Sequence, residues 1–492
     1  MPKNPEKPRS ELMAPLEQGP LAELSHEVLA NANVDESMFM LLDYNAEALN
    51  WRLALIDSAQ ESIDMQYFIW EDNECGRLLL RRLLDAIDRG VRVRILVDDF
   101  ALRATDRGLA TLARHPGLEI RLFNPKLVRR GVVGPLVEMA LYFRELNRRM
   151  HNKVMLIDGQ WAILGGRNIG NPYFGFSKKY NFKDLDVLVT GPVLNEIQYS
   201  FQKYWTSQPA YPVDAMRMTI TDEQLSERVN EFRQDFRQDQ KIFEGSSIRI
   251  ESSDWQDYWH MVRTKAVPGY AVFITDKPRV KGNRGKRLMD SIYEFSELVE
   301  HEAVYVTPYF IPPKGSIKEI ESAVDSGVKI YMLTASAGAN NHTVAHSHYR
   351  KYRRQLLKAR LSLYEFDHDP SDKVREMVDT SPIEAKFVAL HIKAFIHDRQ
   401  RLMLGSLNLD PRAMVINTEN AILIDSPQLA DQLATIVLRM TEPGNAWELM
   451  LNEYDGIRWK SGDETRRTQP TRSLIQRSAD WFYRLLPIEG QL

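Results

Sequence analysis

The stretch His151-Asn152-Lys153, followed by Asp158 and then Gly165-Gly166-Arg167-Asn168, returns 240 positions later as His391-Ile392-Lys393, Asp398 and Gly405-Ser406-Leu407-Asn408. Both read H-x-K-x4-D-x6-G-[GS]-x-N with identical offsets. A single H-x-K-x4-D arises by chance in roughly one chain in thirty of this size and content, so one copy alone would be weak evidence. Two copies with the same Gly and Asn extension are not an accident. A nucleophile, a cation and amide donors recurring twice are what a two-step displacement at an anionic phosphorus requires.

Working outward, the repeat extends beyond the motifs. Upstream of the first, Ile63 to Ile69 alternates like a strand, Leu78 to Asp88 has helical spacing, and Gly90 to Leu96 reads as a second strand. Upstream of the second, Val304 to Ile311, Ser316 to Ser326 and Gly327 to Leu333 play the same parts. Downstream, Asp184 to Pro192 aligns without gaps on Glu419 to Pro427. Strands alternating with helices predict an α/β fold of two pseudo-symmetric domains, each a mixed, largely parallel sheet flanked by helices. The expected divisions are an N-terminal extension over 1–45, a first domain over 46–210 and a connector over 211–246. A second domain follows over 247–465, and an amphipathic C-terminal segment over 466–492. Thr221 to Lys241 is charged, Gln-rich and expected to be a helix, and residues 1–20, with five prolines, are expected to be mobile.

With 492 residues, 27% charged and 43% hydrophobic, the chain has the material for two cored domains. A net charge of −3 argues against attraction of the whole protein to nucleic acid. The single cysteine, Cys75, is expected to be buried and inert, and no Cys/His cluster suggests a metal. No apolar run approaches the roughly 18–20 residues needed to span a bilayer, and the N-terminus lacks the apolar core of a signal peptide. These features predict a cytoplasmic protein whose contact with membrane is peripheral.

On a strand, residues two apart share a face, so each His-Lys pair points to one side. Halves meeting face to face would gather His151, Lys153, His391 and Lys393 round one phosphate in a single composite site. One histidine would attack phosphorus while the other protonates the leaving oxygen, work for which a side-chain pKa near 6.5 is suited. The lysines would neutralise the non-bridging oxygens, Asn168 and Asn408 would donate to them, and Gly165, Gly166 and Gly405 would allow a close backbone approach. Asp158 and Asp398 fall on the opposite strand face, which favours a turn-pinning role over a catalytic one. The aligned Asp184 and Glu419 are better placed to orient the histidines through the second ring nitrogen, the alternative being a solvated strand end. Ser406, where the first motif has Gly166, adds a hydroxyl that could support the phosphate.

The duplicated pattern resembles the phospholipase D superfamily. Gly165 to Phe174, Gly405 to Arg412 and the C-terminal Leu485 to Leu492 resemble bacterial cardiolipin synthases, most closely the C-type members, apart from Ala413, where a Ser often follows Asp-Pro-Arg. The resemblance implies a phosphatidyltransferase with catalytic residues His151, Lys153, Asp158, His391, Lys393 and Asp398. It implies a phosphohistidine intermediate, on His151 if the N-terminal motif supplies the nucleophile, and no cofactor or metal. A phosphatidyl group from phosphatidylethanolamine or phosphatidylglycerol would pass to phosphatidylglycerol; a phospholipase D releasing phosphatidic acid, or a nuclease of the same fold, are the alternatives. The partners expected are anionic and zwitterionic phospholipids at the inner face of a bacterial cell membrane, with no nucleic acid, and nothing in the residues names a protein partner. Three segments admit a membrane reading: the apolar Leu127 to Phe143 between arginines, the basic run His346 to Arg360, and Ser473 to Leu486 with its Trp, Phe and Leu residues. Each equally admits a structural one: a buried helix, a solvated face, and a docked helix.

Overall fold

The computed structural model describes residues 11–100, 106–126, 128, 138, 141–216, 221–279, 287–486 and 489–491. The strand–helix–strand units form where the patterning predicts them. Ser62–Tyr67, helix Glu74–Asp88 and Arg92–Asp98 make the first unit; Glu302–Val306, helix Ser316–Asp325 and Lys329–Ala335 make the second. The helix Glu74–Asp88 starts one turn earlier than its apolar spacing suggests, because the Asn73 side chain accepts the Gly76 N–H and caps it. In each half three strands run parallel: Ser62–Tyr67, Arg92–Asp98 and Leu118–Phe123 in the first, and Glu302–Val306, Lys329–Ala335 and Ser362–Phe366 in the second. Antiparallel strands continue each trio, and among them lie the motif hairpins Val154–Ile157 with Trp161–Gly165, and Ala394–His397 with Arg401–Gly405.

The halves share one 18-stranded sheet. Its middle is Ser37–Leu42, which pairs antiparallel with Asp186–Thr190 on one side and with Val267–Thr275 on the other. The strand at the centre of the molecule thus comes from within residues 1–45. Residues 13–16 are also tied down: Leu16 N–H donates to the Asp158 carbonyl and Gln198 donates to the Met13 carbonyl. The expected mobility of the N-terminus therefore does not extend to these residues; residues 1–10 lie outside the described ones.

The core beneath the motifs is also common to both halves. Val154, Leu156, Leu164 and Val187 belong to the same buried cluster as Ile392, Ala394, Ile396, Leu404 and Ile422. Such a core has no seam along which the halves could part without exposing apolar surface. Thr221 and Gln224 form a reciprocal capping box at the start of the connector helix Asp222–Phe243. Cys75 is fully buried, and burial pushes its thiol well above the ordinary range. Among the described residues no helix is long and apolar enough to cross a membrane.

Candidate active site

A second, two-stranded sheet brings the halves into chemical contact. Asn181–Lys183 pairs in parallel with Val388–Leu390, Lys183 opposite Leu390, so the residues that follow, Asp184 and His391, emerge side by side. A matching parallel bridge joins Met150 to Thr418 and puts His151 beside Glu419. The histidine N–H groups complete these crossings: His151 N donates to the Thr418 carbonyl at 2.8 Å and His391 N to the Lys183 carbonyl at 2.9 Å.

The aligned acids therefore orient the histidines crosswise. His151 Nδ1 lies 2.7 Å from Glu419 Oε2, and His391 Nδ1 lies 2.6 Å from Asp184 Oδ2. Each carboxyl from one half holds the histidine of the other. With Nδ1 engaged, each ring has Nε2 left for chemistry. Asp184 and Glu419 are fully buried, so the reading of them as solvated strand ends is excluded.

Lys153 and Lys393 are buried as well, and each ammonium donates to the carbonyl of its own motif histidine, Lys153 to His151 and Lys393 to His391. Burial lowers Lys153 to about 7 and Lys393 to about 8 despite nearby Glu419 and Asp184. Burial, Lys153 and Lys393 push His151 well below its ordinary value; burial and Lys393 carry His391 down to about 3 although Asp184 opposes them. Two buried lysines whose pKa values are lowered by burial gain from the negative charge that an arriving phosphodiester would bring.

The two acids differ. Burial raises Glu419 to about 8 against the pull of Lys153, Ser406 and Lys393. Burial would raise Asp184 too, but His391, Lys393 and Arg167 together hold it below the usual carboxylate range. Beneath Asp184 lies an ionic layer in which Asp186 pairs with Arg52 at 2.8 Å and Arg167 at 3.3 Å.

The remaining motif residues take these positions. Asp158 accepts backbone N–H groups of Gln60, Glu61 and Ser62, and Asp398 those of Glu300, His301 and Glu302. Both therefore pin the turn after their motif strand to the start of a parallel strand and face away from the histidines. Asn168 Oδ1 accepts the Ile69 N–H and its Nδ2 donates to the Tyr173 hydroxyl, while Asn408 Oδ1 is buried without a partner. Ser406 is put to a use other than the expected one: its hydroxyl donates to Glu419 Oε2, so the group read as a phosphate support serves the carboxylate behind His151. Gly166 has a matching reason. A Cβ there would stand 2.1 Å from Asp184 Oδ1, so the glycine makes room for the acid that holds His391.

Sequence reasoning missed the aromatic walls. Phe68 meets the His151 ring edge-on at 4.9 Å, and Phe182 and Tyr173 flank His391 at 4.6 and 5.5 Å. Phe68 was visible in the sequence only as part of the strand expected over Ile63 to Ile69. Of the three segments with a membrane reading, most of 127–143 lies outside the described residues, and its end, Leu141, Tyr142 and Phe143, is exposed. The basic run forms helices Thr343–Tyr349 and Arg353–Lys358, and Leu474–Tyr483 forms a helix against the first of these.

Residues 53–205 and 299–441 match a family described as cardiolipin synthase, phospholipase D-like domain. The chain is 31% identical over 458 residues to cardiolipin synthase C of Escherichia coli strain K12, covering 92% of this chain and 95% of that protein. It is 26% identical over 383 residues to a cardiolipin synthase of Staphylococcus aureus strain Mu50, covering 77% of this chain and 62% of that one. The crystal structure of phosphatidylserine synthase from Haemophilus influenzae Rd KW20 superposes with a TM-score of 0.56 at 16% identity, over 87% of this chain and 92% of that one, a likeness of fold.

Proposed function

The chain belongs to the cardiolipin synthase family of phospholipase D-like proteins, and we propose that it makes cardiolipin by passing a phosphatidyl group between two phospholipids through an enzyme histidine. The observation that carries this reading is the crossed pair of histidine–carboxyl contacts, which engages both Nδ1 atoms and leaves each ring its Nε2, with a buried lysine two residues on in each motif.

His151 Nε2 attacks the phosphorus of phosphatidylethanolamine or phosphatidylglycerol. As the bond from phosphorus to the head-group oxygen breaks, His391 gives that oxygen a proton, and ethanolamine or glycerol leaves. His391 then takes the proton from the glycerol hydroxyl of a phosphatidylglycerol. The hydroxyl oxygen attacks phosphorus, the P–N bond breaks and cardiolipin departs. Lys153 and Lys393 take up the charge on the non-bridging oxygens, with Asn408 as a supporting donor, while Asn168, whose amide is held by Ile69 and Tyr173, supports the site structurally. The assignment of roles is supported by the acids. An ionised Asp184 opposes the burial and the Lys393 charge that lower His391, and so favours the acid form of that ring more than Glu419, with its raised pKa, favours the acid form of His151. Burial of both rings against aromatic walls supports transfer to an alcohol over transfer to water, because water is kept scarce.

The test is incubation of the purified protein with labelled phosphatidylglycerol and phosphatidylethanolamine, followed by separation of the lipids. Cardiolipin is the expected product. Phosphatidic acid without cardiolipin would make the protein a hydrolase with the same residues.

A further inference from the structure

Behind helix Thr343–Tyr349, in the second half, lies a cavity of about 580 Å³ whose lining includes seven arginine and lysine side chains and no carboxylate. None of the residues lining it belongs to the two-histidine site. Its walls come from parts of the chain far apart in sequence: the helix Arg353–Lys358, the strand Ile457–Ser461, residues 467–469 and the C-terminal helix.

Three of the cations are balanced from behind. Arg350 pairs with Asp480, Lys351 with Glu489, and the buried Arg353 with Glu365 at 2.6 Å. Four are not. Arg354, Arg467 and Arg484 have no carboxylate within 4 Å among the described residues, and Arg477 reaches only the Gln469 carbonyl and the Thr471 hydroxyl while its Nε is buried without a partner. Arginines that line one cavity with no carboxylate in its wall offer a phosphate several guanidinium donors at once, and guanidinium suits phosphate.

The C-terminal helix that closes this cavity is mounted with its apolar side outward. Its inner side is polar: buried Asp480 accepts the Nδ1–H of His346 at 2.6 Å, and His346 Nε2 accepts from Arg353. Its outer side carries Leu474, Ile475, Trp481 and Phe482, followed by Leu485, with Ile475 82% and Trp481 59% exposed. A helix docked through charges and showing tryptophan, phenylalanine and leucine to solvent beside unpaired arginines has the arrangement of an interfacial anchor.

We propose that this cavity and the outer side of the C-terminal helix form a second, non-catalytic site for an anionic phospholipid, with its phosphate among Arg354, Arg467, Arg477 and Arg484 and the apolar side chains entering the acyl region. It deepens the reading given above, on which the choice of a lipid occupant rests, by naming how the enzyme is held on the surface that carries its substrates. Nucleic acid, the other partner of an arginine cluster, does not account for the apolar side chains beside it.

The test uses the full-length protein and an Arg467→Gln/Arg484→Gln double variant, both positions being exposed and without an ion pair to lose. Sedimentation with vesicles of phosphatidylcholine mixed with phosphatidylglycerol should weaken roughly thirty-fold in the double variant. Binding to vesicles of phosphatidylcholine alone should fall in Trp481→Ser and change little in the arginine variant. Turnover of short-chain lipid below its micelle concentration, where no surface exists, should stay at wild-type level in the arginine variant. Unchanged binding to the anionic vesicles in the double variant overturns the proposal. So does binding of soluble glycerophosphate or of a DNA duplex that the double variant loses while its vesicle binding holds. Failure to make cardiolipin with arginine-dependent vesicle binding intact would count against the proposed reaction alone.

Discussion

The two motif halves hold the same atoms in different surroundings. In the first, Gly166 clears space for Asp184, a short acid kept ionised by its partner His391 and by the cations Lys393 and Arg167. In the second, Ser406 occupies the glycine's place and donates its hydroxyl to Glu419, an acid one methylene longer whose pKa burial raises to about 8. Because the acids cross over, each difference acts on the histidine of the opposite half. Duplication thus supplied two equal rings, and the exchange of Gly/Asp for Ser/Glu made them unequal. Two titratable groups pushed apart in this way are the mark of divided acid and base roles.

The largest effect should be the one that treats the halves alike. His151→Asn and His391→Asn should each lower transfer by at least ~10⁴-fold, since nucleophile and acid work as a unit. Rapid quench with a radiolabelled phospholipid then breaks the symmetry: the acid-labile label should map to the peptide containing His151. Label on the His391 peptide would reverse the roles.

The acids should separate next. Asp184→Asn removes a charge that His391 needs and should cost on the order of 10³-fold in kcat. Glu419→Gln imitates a carboxyl that is already protonated at neutral pH, so its loss at pH 7 should be no more than about tenfold. Equal losses would sink the claimed asymmetry. The pH dependence of stability follows from the same shift. In an unfolded chain Glu419 gives up its proton near 4.5, and in the folded one near 8, so the native state holds the extra proton in between and loses stability as pH rises. Melting of Glu419→Gln relative to wild type should therefore improve steadily from pH 5 to pH 8.

The glycine exchange sharpens the comparison further. Gly166→Ser drives a side chain into Asp184 and should cost about 10²-fold in activity by displacing that acid from His391, whereas Ser406→Gly forfeits the hydroxyl's hydrogen bonds to Glu419 and Asn420 and should cost about fivefold. If both changes prove equally mild, steric pairing of residue 166 with residue 184 is not what separates the halves.

The smallest catalytic effect should come from the turn aspartates. Asp158→Ala strands three backbone N–H groups at a buried position and should cost roughly 2–4 kcal/mol of stability; Asp398→Ala, at a more exposed turn, roughly half of that. Urea denaturation measures both, and the surviving folded fraction should turn over at close to the wild-type rate.

Much of this was legible in the residues. His-x-Lys spacing on a strand and the gap-free alignment of Asp184 with Glu419 pointed to the site, because strand periodicity and repeat register are local properties. The opposite-face position of Asp158 and Asp398 foretold their turn-pinning use for the same reason. Ser406 was misread because a hydroxyl's partner depends on what lies across from it, and Glu419 is set there by the strand Asn420–Asp425 that follows it, which pairs with Arg401–Gly405. Phe68, Phe182 and Tyr173 gave no signal, since an aromatic ring reads as core until its neighbour is known.

By itself, then, the sequence determined the duplicated α/β units, the two histidines and lysines, and the two acids that serve them. Only the tertiary structure decided that Ser37–Leu42 joins both halves in one sheet, and that the parallel pairing of Asn181–Lys183 with Val388–Leu390 and the bridge from Met150 to Thr418 hand each acid to the other half's histidine. Periodicity says which face a side chain takes; which strand lies opposite is set by hydrogen bonds between residues some two hundred positions apart, and no local pattern records them.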